Sequence, residues 1–185
     1  QAIKLPSGEL MAAVKLTAEK SDDDGGSRTA LVKSTDKGKT WTDPRPVTRP
    51  GQVPGNLVVL PDGRLVLSYV EKIDPYGARA IISEDGGQTW GNQVFVLGTS
   101  RYCPAIKPRP TLCEPGTGVS TIVLPDGTLV SAFDRGQTRR HSDATGDQPA
   151  IHLVRWTTSG LEKPPLAYPT LRTTKVDKKG YLDNG

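Results

Sequence analysis

The sequence predicts an all-β fold built from short strands that are joined by tight turns. Glycine and proline are abundant, with 20 and 16 of the 185 residues, and short apolar runs recur between them. The sequence also repeats itself, since "LPSGEL" at 5–10, "LPDGRL" at 60–65 and "LPDGTL" at 124–129 are near copies. Four-stranded units repeated at about 50–60 residues are typical of a β-propeller. The chain is therefore predicted to hold about three four-stranded blades.

The middle copy shows how each unit is built. Pro61, Asp62 and Gly63 predict a tight turn, because proline presets φ and glycine accepts a positive φ. Apolar runs on both sides of this turn predict strands. The predicted strands of this copy are, in order, Leu57–Leu60, Leu65–Val70, Ala78–Ser83 and Val94–Leu97.

The other two copies follow the same plan. The first runs from Ile3 through Val47, and the third from Ser120 past Trp156. The predicted domain spans 1–160, with blades at about 1–48, 53–98 and 117–160. Residues 161–185 are either a C-terminal tail or a strand that closes against the first blade.

A second repeated motif follows the third strand of two copies. "STDKGKTW" at 34–41 and "SEDGGQTW" at 83–90 share the pattern S-x-D-x-G-x-T-W. Ser and Asp side chains accept bonds from nearby backbone N–H groups, glycine adopts conformations that other residues avoid, and tryptophan buries apolar area. These positions are therefore predicted to be structural: Ser34, Asp36, Gly38, Thr40, Trp41, Ser83, Asp85, Gly87, Thr89 and Trp90. In the third copy, "VRWTTSG" at 154–160 has Trp156 and Thr158 in place of Ser and Asp, which predicts that the turn is lost while the strand remains.

The eight-residue motif resembles the Asp-box, or BNR repeat, of the sialidase (neuraminidase) superfamily. "LPDGRLVLSY…YGARAIISEDGGQTW" is similar to the blades of bacterial sialidase-like proteins. The resemblance implies a six-bladed β-propeller, of which this chain supplies three blades. We therefore expect the chain to be the C-terminal half of a longer protein, or to need the missing half from the same chain or another subunit.

The two ends of each blade are predicted to differ in role. The LPxG turns and Asp-boxes share one end, whereas longer and more variable loops occupy the other, at 16–28, 71–78 and 134–150. Such loops on a rigid scaffold commonly carry binding residues. The candidate binding residues at this end are Arg28, Glu71, Tyr76, Arg79, Asp134 and Arg135.

Arg28 and Arg79 carry the strongest indication of a ligand. Each is predicted to begin a third strand, and an arginine fork can bind a carboxylate through two parallel hydrogen bonds. The resemblance implies that they correspond to the second and third of three arginines that hold the carboxylate of sialic acid. The alternative is that each is an exposed arginine at a strand end. A position of Arg28 beside Trp41 would rule out the first interpretation.

The resemblance also implies a catalytic mechanism that this chain does not fully supply. The superfamily uses a tyrosine nucleophile activated by a glutamate, with an aspartate acid/base near the N-terminus. The place of that tyrosine falls near Val119 in "TGVSTIVLPDG", so either Tyr102 replaces it from the insert 100–116 or the standard mechanism is missing. We expect a sialidase-like glycoside hydrolase (exo-α-sialidase-like) acting on terminal sialic acid or a related acidic sugar in the full-length protein, with this chain inactive alone. The alternative is a non-catalytic propeller that binds glycans or proteins.

Composition excludes several other classes of function. The net charge of +4 arises from 24 basic and 20 acidic residues spread along the chain, which does not predict nucleic-acid binding. No apolar run approaches the roughly 20 residues of a membrane span. Cys103 and Cys113 could form a disulfide in an exported protein or remain free thiols, so the compartment stays open between secreted or periplasmic and internal. His141 and His152 show no zinc-ligand spacing, and neither a metal nor a cofactor is predicted.

Overall fold

The computed structural model describes residues 1–17, 26–72, 77–91, 95–99, 118–134 and 151–158. These ranges contain strands and turns but no α-helix, so no described helix could cross a bilayer. The strands are β1 Ala2–Lys4, β2 Leu10–Leu16, β3 Arg28–Ser34, β4 Arg45–Pro46, β5 Gln52–Val59, β6 Leu65–Glu71, β7 Gly77–Ser83, β8 Phe95–Thr99, β9 Val119–Val123, β10 Leu129–Asp134 and β11 Ile151–Trp156. The all-β prediction is confirmed.

The strands form three antiparallel groups in chain order, which we call sheet 1 (β1–β4), sheet 2 (β5–β8) and sheet 3 (β9–β11). Within each group, consecutive strands pair as antiparallel neighbours. Sheets 1 and 2 also meet at one parallel pair, Arg28 with Gln52. Such repeated antiparallel meanders are typical of propeller blades. In the described part of the chain, sheet 3 has three strands.

The strand boundaries differ from the predicted ones mainly in sheet 2. The first strand starts at Gln52 instead of Leu57, and the fourth covers Phe95–Thr99 instead of Val94–Leu97. The second and third strands are each one residue longer than predicted at the end that faces the 71–78 loop. The extra residues pair with one another, Glu71 with both Gln52 and Gly77. Pairing between residues distant in the sequence therefore lengthens these strands beyond the apolar runs from which they were predicted.

Sheet 2 is the centre of the core because both of its faces are covered. Every residue of β6 is buried. Its alternate side chains Leu65, Leu67 and Tyr69 pack with residues of sheet 1, among them Met11 and Leu31. The intervening Val66 and Val70 pack with Val119, Leu129 and Phe133 of sheet 3. Side chains of a strand alternate between its two faces, so β6 reads as a continuous apolar run.

Polar contacts fix the order of the three sheets. The Asn56 side chain in β5 bonds the Gln1 side chain, and its Oδ1 accepts from the backbone N–H of Thr121 at 3.0 Å. Arg45 of sheet 1 donates to the carbonyls of Gly87 and Gln88 in the second Asp-box. Lys33 Nζ donates to the carbonyl of Gly86 at 3.2 Å. The turn of one blade is therefore held by cations of the blade before it.

Sheet 3 keeps its third strand although its Asp-box is absent. Trp156 pairs with Leu129, as Ser34 pairs with Leu10 and Ser83 with Leu65. Its indole Nε1 donates to Ser131 Oγ at 2.9 Å. The prediction that Trp156 occupies the place of the box serine in an intact strand is confirmed. The limits of the predicted domain and the role of residues 161–185 stay predictions, since 159–185 lie outside the described residues.

Candidate functional site

The sheets have two chemically different ends. At one end, the box end, lie the LPxG turns and the Asp-boxes, because β2 and β6 start there and β3 and β7 finish there. At the other, the loop end, lie Arg28, Gln52, Glu71, Gly77 and Asp134. Six strand steps separate Arg28 from Ser34, or about 20 Å at roughly 3.3 Å per residue. Arg28 therefore lies at the end opposite Trp41, as the carboxylate-binding interpretation requires.

Both Asp-boxes form the same closed set of hydrogen bonds. In the first, Ser34 Oγ donates to Asp36 Oδ1 and accepts from the backbone N–H of Gly38, both at 2.8 Å. The backbone N–H and hydroxyl of Thr40 donate to the Asp36 carboxylate at 2.9 and 2.7 Å. Ser83, Asp85, Gly87 and Thr89 repeat these contacts in the second box. These side chains satisfy local donors, and none of these contacts leaves the turn.

The two box tryptophans differ in environment. Trp41 is 41% exposed, and its Nε1 donates to the carbonyl of Gly38 at 3.1 Å. Trp90 is half-buried and packs against the apolar cluster between sheets 1 and 2. Both lie at the box end, far from the loop end.

The hydrogen bonds from threonine lower the pKa of both box aspartates. Hydrogen bonds from Thr40 first, and then from Ser34, lower the pKa of Asp36 to about 2. Hydrogen bonds from Thr89 likewise lower the pKa of Asp85. Because the folded pKa lies below the unfolded value of about 3.9, these groups stabilise the fold fully above pH 4 and lose that effect as the pH falls towards 2. We expect the urea midpoint to decrease between pH 4.5 and 2.5.

The double variant Asp36→Asn/Asp85→Asn tests this acid sensitivity. It is expected to have a lower midpoint at pH 7 and a flatter decrease in acid. Asp43→Asn, which removes an exposed carboxylate outside both boxes, should keep the wild-type profile. A double variant with the wild-type slope would show that other carboxylates control acid unfolding.

The loop end of sheets 1 and 2 holds a buried polar pair, Gln52 and Glu71. They are 5% and 9% exposed, and Gln52 Nε2 donates to Glu71 Oε2 at 2.6 Å. The Gln52 carbonyl accepts from Thr29 Oγ1 at 2.9 Å, and its side-chain oxygen accepts from the backbone N–H of Arg49 at 3.0 Å. These bonds orient the Gln52 amide, so that the Glu71 carboxylate is held in one position.

Three arginines lie at this end of sheets 1 and 2. Arg28 pairs with Gln52 through the backbone. The Arg49 guanidinium, whose side chain is 83% exposed, lies 4.0 Å from Glu71 Oε2. Arg79 is two residues along β7 from Gly77, which pairs with Glu71. Lys15 and Lys72 belong to the same end of the sheets, since Lys15 pairs with Thr29 and the Lys72 N–H donates to the Gly51 carbonyl.

Arg79 differs from its predicted position in one respect. It is the third residue of β7 and not the first, so its register partner in β6 is Tyr69 and it lies deeper in the blade than Arg28 does. It is 6% exposed, and its Nη1 donates to the carbonyl of Ala78 at 3.1 Å. The two arginines therefore share an end but not a structural position: the residue that matches Arg28 in sheet 2 is Gly77.

Tyr69 stands beside this cluster and is 2% exposed. Burial first, and then the negative charge of Glu71, raise its pKa to about 12. The phenol therefore stays protonated at neutral pH. As a buried, protonated group it can donate a hydrogen bond but is a weak nucleophile.

The remaining candidate residues fall into two groups. Val119 begins β9, and its side chain is buried in the core between sheets 2 and 3. Asp134 ends β10 at the loop end, opposite Ile151. Tyr76, Tyr102, Cys103, Cys113, Arg135 and His141 lie outside the described residues. In the described part of the chain, no group of three or more His, Cys, Asp or Glu side chains could hold a metal ion.

Sequence reasoning missed Gln52, Arg49 and Tyr69. Tyr69 precedes Glu71 by two residues, and residues two apart in a strand lie on the same face. The sequence therefore does indicate that Tyr69 lies beside Glu71. Gln52 lies ahead of Pro54 and Gly55, two residues that are depleted in strands, and its role depends on a partner 19 residues away. No local pattern indicates such a contact.

Comparison with known families identifies the repeat. Residues 2–147 match the BNR repeat-like domain. The chain belongs to this BNR repeat-like family. The resemblance of its S-x-D-x-G-x-T-W motifs to the Asp-boxes of sialidase-type propellers is thereby confirmed. No curated protein matches the chain.

Several solved structures share the BNR-type fold. A protein of unknown function from Dyadobacter fermentans is 21% identical, with a TM-score of 0.59 over 86% of this chain and 51% of that one. An endo-arabinase from Bacteroides thetaiotaomicron is 14% identical, with a TM-score of 0.60 over 88% of this chain and 57% of that one. An ulvan lyase solved with a bound -[GlcA(1-4)Rha3S]- saccharide is 9% identical, with a TM-score of 0.57 over 85% of this chain and 38% of that one.

These similarities concern the fold, and the chain spans about half the length of the first two structures. Named proteins with this fold include a glycoside hydrolase and a polysaccharide lyase. The propeller class predicted from the repeats is therefore confirmed, whereas the fold alone does not select a sugar.

Proposed function

We propose that this BNR repeat-like chain binds an acidic sugar, sialic acid or a related one, at its loop end. The observation that carries the proposal is the presence of Arg28, Arg49 and Arg79 at the loop end, where Arg49 lies 4.0 Å from the Glu71 carboxylate. Arg28, which is half-buried at the start of β3, is the residue that binds the carboxylate in this proposal. Arg49 lies at the solvent-exposed rim, and Arg79 contributes positive charge from beneath.

Other loop-end residues complete the proposed binding surface. Glu71 would accept hydrogen bonds from sugar hydroxyl groups, since its Oε2 is already held by Gln52. Asp134 is the last residue of β10, Arg135 follows it in the sequence and Tyr76 precedes β7. These three residues are proposed to line the same surface. The missing blades, in the same chain or in another subunit, would provide the rest of the site.

For the whole protein we propose a glycoside hydrolase activity on the same acidic sugar, with the chain alone inactive. The alternative is a non-catalytic propeller that binds glycans or protein partners. One observation favours the alternative for this chain: Val119 is buried in the core at the place expected for the nucleophile. A valine side chain has no nucleophilic atom.

Binding to sialyllactose, with lactose as the neutral reference, tests the proposal. We expect the chain to bind sialyllactose and Arg28→Ala to bind it at least tenfold more weakly, because charge-assisted hydrogen bonds contribute about 1.5–3 kcal/mol and roughly 1.4 kcal/mol is tenfold. Lys39→Ala, which removes an exposed cation at the box end, should bind like the wild type. Titration calorimetry provides the measurement.

Two further readings distinguish the proposals. A glucuronate oligosaccharide in the same titration distinguishes sialic acid from a uronate, the sugar class in the saccharide bound by the ulvan lyase. A fluorogenic sialoside should show no turnover by the chain alone, and turnover by a longer form with a complete propeller would establish the hydrolase. Equal affinity for sialyllactose and lactose, or an unaffected Arg28→Ala variant, would refute the carboxylate site.

A further inference from the structure

Glu71 differs from the aspartates of the turns in how its carboxylate is bonded. Both oxygens accept hydrogen bonds in the four turn aspartates, Asp36, Asp62, Asp85 and Asp126. Glu71 is buried, and Gln52 donates to its Oε2. Within the described part of the chain, no hydrogen bond to its Oε1 is formed. A buried acceptor without a partner is costly, so this oxygen is available to a ligand.

The Gln52 side chain fixes the direction in which this carboxylate presents its second oxygen. The backbone N–H of Arg49 can only donate, so the Gln52 amide turns its oxygen to Arg49 and its Nε2 to Glu71. The Gln52 carbonyl accepts from Thr29 Oγ1 at 2.9 Å and from Thr48 Oγ1 at 3.0 Å. All of these bonds lie within the protein itself, so Glu71 is oriented before a ligand binds.

A complementary donor lies beside Glu71. Tyr69 precedes it by two residues in β6, so both side chains lie on one face of the strand. Tyr69 is 2% exposed, and its hydroxyl makes no hydrogen bond within the described residues. The buried hydroxyl groups of Ser68, Thr121 and Ser131 are, in contrast, bonded to one another. Burial first, and then the charge of Glu71, raise the pKa of Tyr69 to about 12, so the phenol is a donor at neutral pH.

We infer that one hydroxyl group of the acidic sugar binds between Tyr69 and Glu71, accepting from the phenol and donating to Glu71 Oε1. A sugar hydroxyl both accepts and donates, so it satisfies both side chains at once. Tyr69 is then a specificity-determining residue, and Gln52 is a positioning residue that acts through Glu71. The inference rests on the proposed function, the binding of an acidic sugar at the loop end. A buried water molecule offers the same chemistry, and the stability of a variant distinguishes the two.

Tyr69→Phe removes the hydroxyl and keeps the ring in the core. We expect it to bind sialyllactose about three- to tenfold more weakly in titration calorimetry, the effect of one neutral hydrogen bond. Its urea midpoint should not decrease, because the hydroxyl has no partner to lose within the described residues. Unchanged affinity would overturn the inference, and a lower midpoint with unchanged affinity would assign the hydroxyl to a bound water molecule.

Glu71→Gln tests the positioning role of Gln52. The new amide must turn its oxygen to Gln52 Nε2, so an NH2 group replaces the acceptor that faces the ligand. Sialyllactose should bind about tenfold more weakly, since hydrogen bonds to charged groups are the stronger kind. A purely electrostatic role predicts the opposite, because removing a negative charge favours an anionic ligand.

The exchange variant Gln52→Glu/Glu71→Gln should recover most of this loss. The carboxylate at position 52 accepts from the Arg49 N–H and from the amide NH2 at position 71, so an oxygen faces the ligand again. Gln88→Glu, which adds a carboxylate at an exposed position of the box end, should bind like the wild type.

Failure of the proposed function and failure of the inference give different results. A wild-type chain that does not prefer sialyllactose over lactose would refute the acidic-sugar site and the inference together. Normal preference with an unaffected Tyr69→Phe variant would refute the inference alone. An exchange variant that binds no better than Glu71→Gln would do the same for the positioning role of Gln52.

Discussion

Gly55→Ala is expected to destabilise the fold by about 1–3 kcal/mol, the usual cost of forcing extra volume into a packed core. Gly55 lies in β5, where sheets 1 and 2 meet. A Cβ at this position would lie 2.4 Å from Thr29 Cγ2 and 2.9 Å from Leu67 Cδ1. Leu67 is fully buried and cannot move away. Thr29 holds the Gln52 carbonyl, so displacing it should also disturb the Gln52–Glu71 pair.

Two variants separate overpacking from other effects of removing a glycine. Gly8→Ala places a Cβ where no atom lies within 4 Å, at a φ of +90°, so only the conformational cost of about 1–2 kcal/mol is expected. Thr29→Ser removes the methyl group that the new Cβ meets and keeps the hydroxyl. Gly55→Ala/Thr29→Ser should therefore be more stable than the sum of the two single effects predicts. Urea unfolding followed by tryptophan fluorescence compares the wild type with these four variants, and strict additivity would show that Thr29 is not the obstacle.

The turns could be predicted from sequence because their stabilising contacts are local. Ser34, Asp36 and Thr40 bond one another within a few residues, so the motif itself contains the structure. The LPxG turn is equally local, with Gly63 donating to the carbonyl of Leu60. These turns fix where β2, β3, β6 and β7 begin or end at the box end. The order of strands and the presence of three units follow directly.

The loop end could be predicted only in outline. Counting back from the box serine places Arg28 and Arg79 towards that end, but it does not show that Arg79 is buried while the Arg49 side chain is exposed. Burial there depends on how sheet 1 covers sheet 2, which no single strand encodes. The Gln52–Glu71 pair joins two strands across a register shift between Gln52 and Gly55. Such a register shift has no local sequence pattern from which it could be predicted.

The two faces of β11 also could not be distinguished from the sequence. Alternation in β11 leaves Ile151, Leu153 and Arg155 on one side and His152, Val154 and Trp156 on the other. Both sides are largely apolar, so the sequence predicts a strand but not which face is covered. The contacts of Val154 and Trp156 with the core between sheets 2 and 3 decide it.

Thr121→Val is expected to destabilise the fold by about 1–3 kcal/mol, because two buried hydroxyl groups would each lose one hydrogen bond at roughly 0.5–1.5 kcal/mol. Thr121 Oγ1 lies 2.7 Å from Ser68 Oγ and 2.8 Å from Ser131 Oγ. All three side chains are at most 1% exposed, so water cannot replace the lost bonds. Ser131 also accepts from Trp156 Nε1. The hydroxyl groups thus link sheet 2, sheet 3 and the indole that replaces the third Asp-box serine.

The network predicts that a second substitution restores part of the loss. Ser68→Ala/Thr121→Val removes the hydroxyl that Thr121→Val leaves without its closest partner, so the double variant should be more stable than Thr121→Val alone. Thr157→Val, at an exposed position just after β11, should change stability by less than about 0.5 kcal/mol. Urea midpoints at one fixed protein concentration allow the comparison. If Ser68→Ala instead adds its full cost to that of Thr121→Val, the hydroxyl groups act independently and do not form a coupled network between sheets 2 and 3.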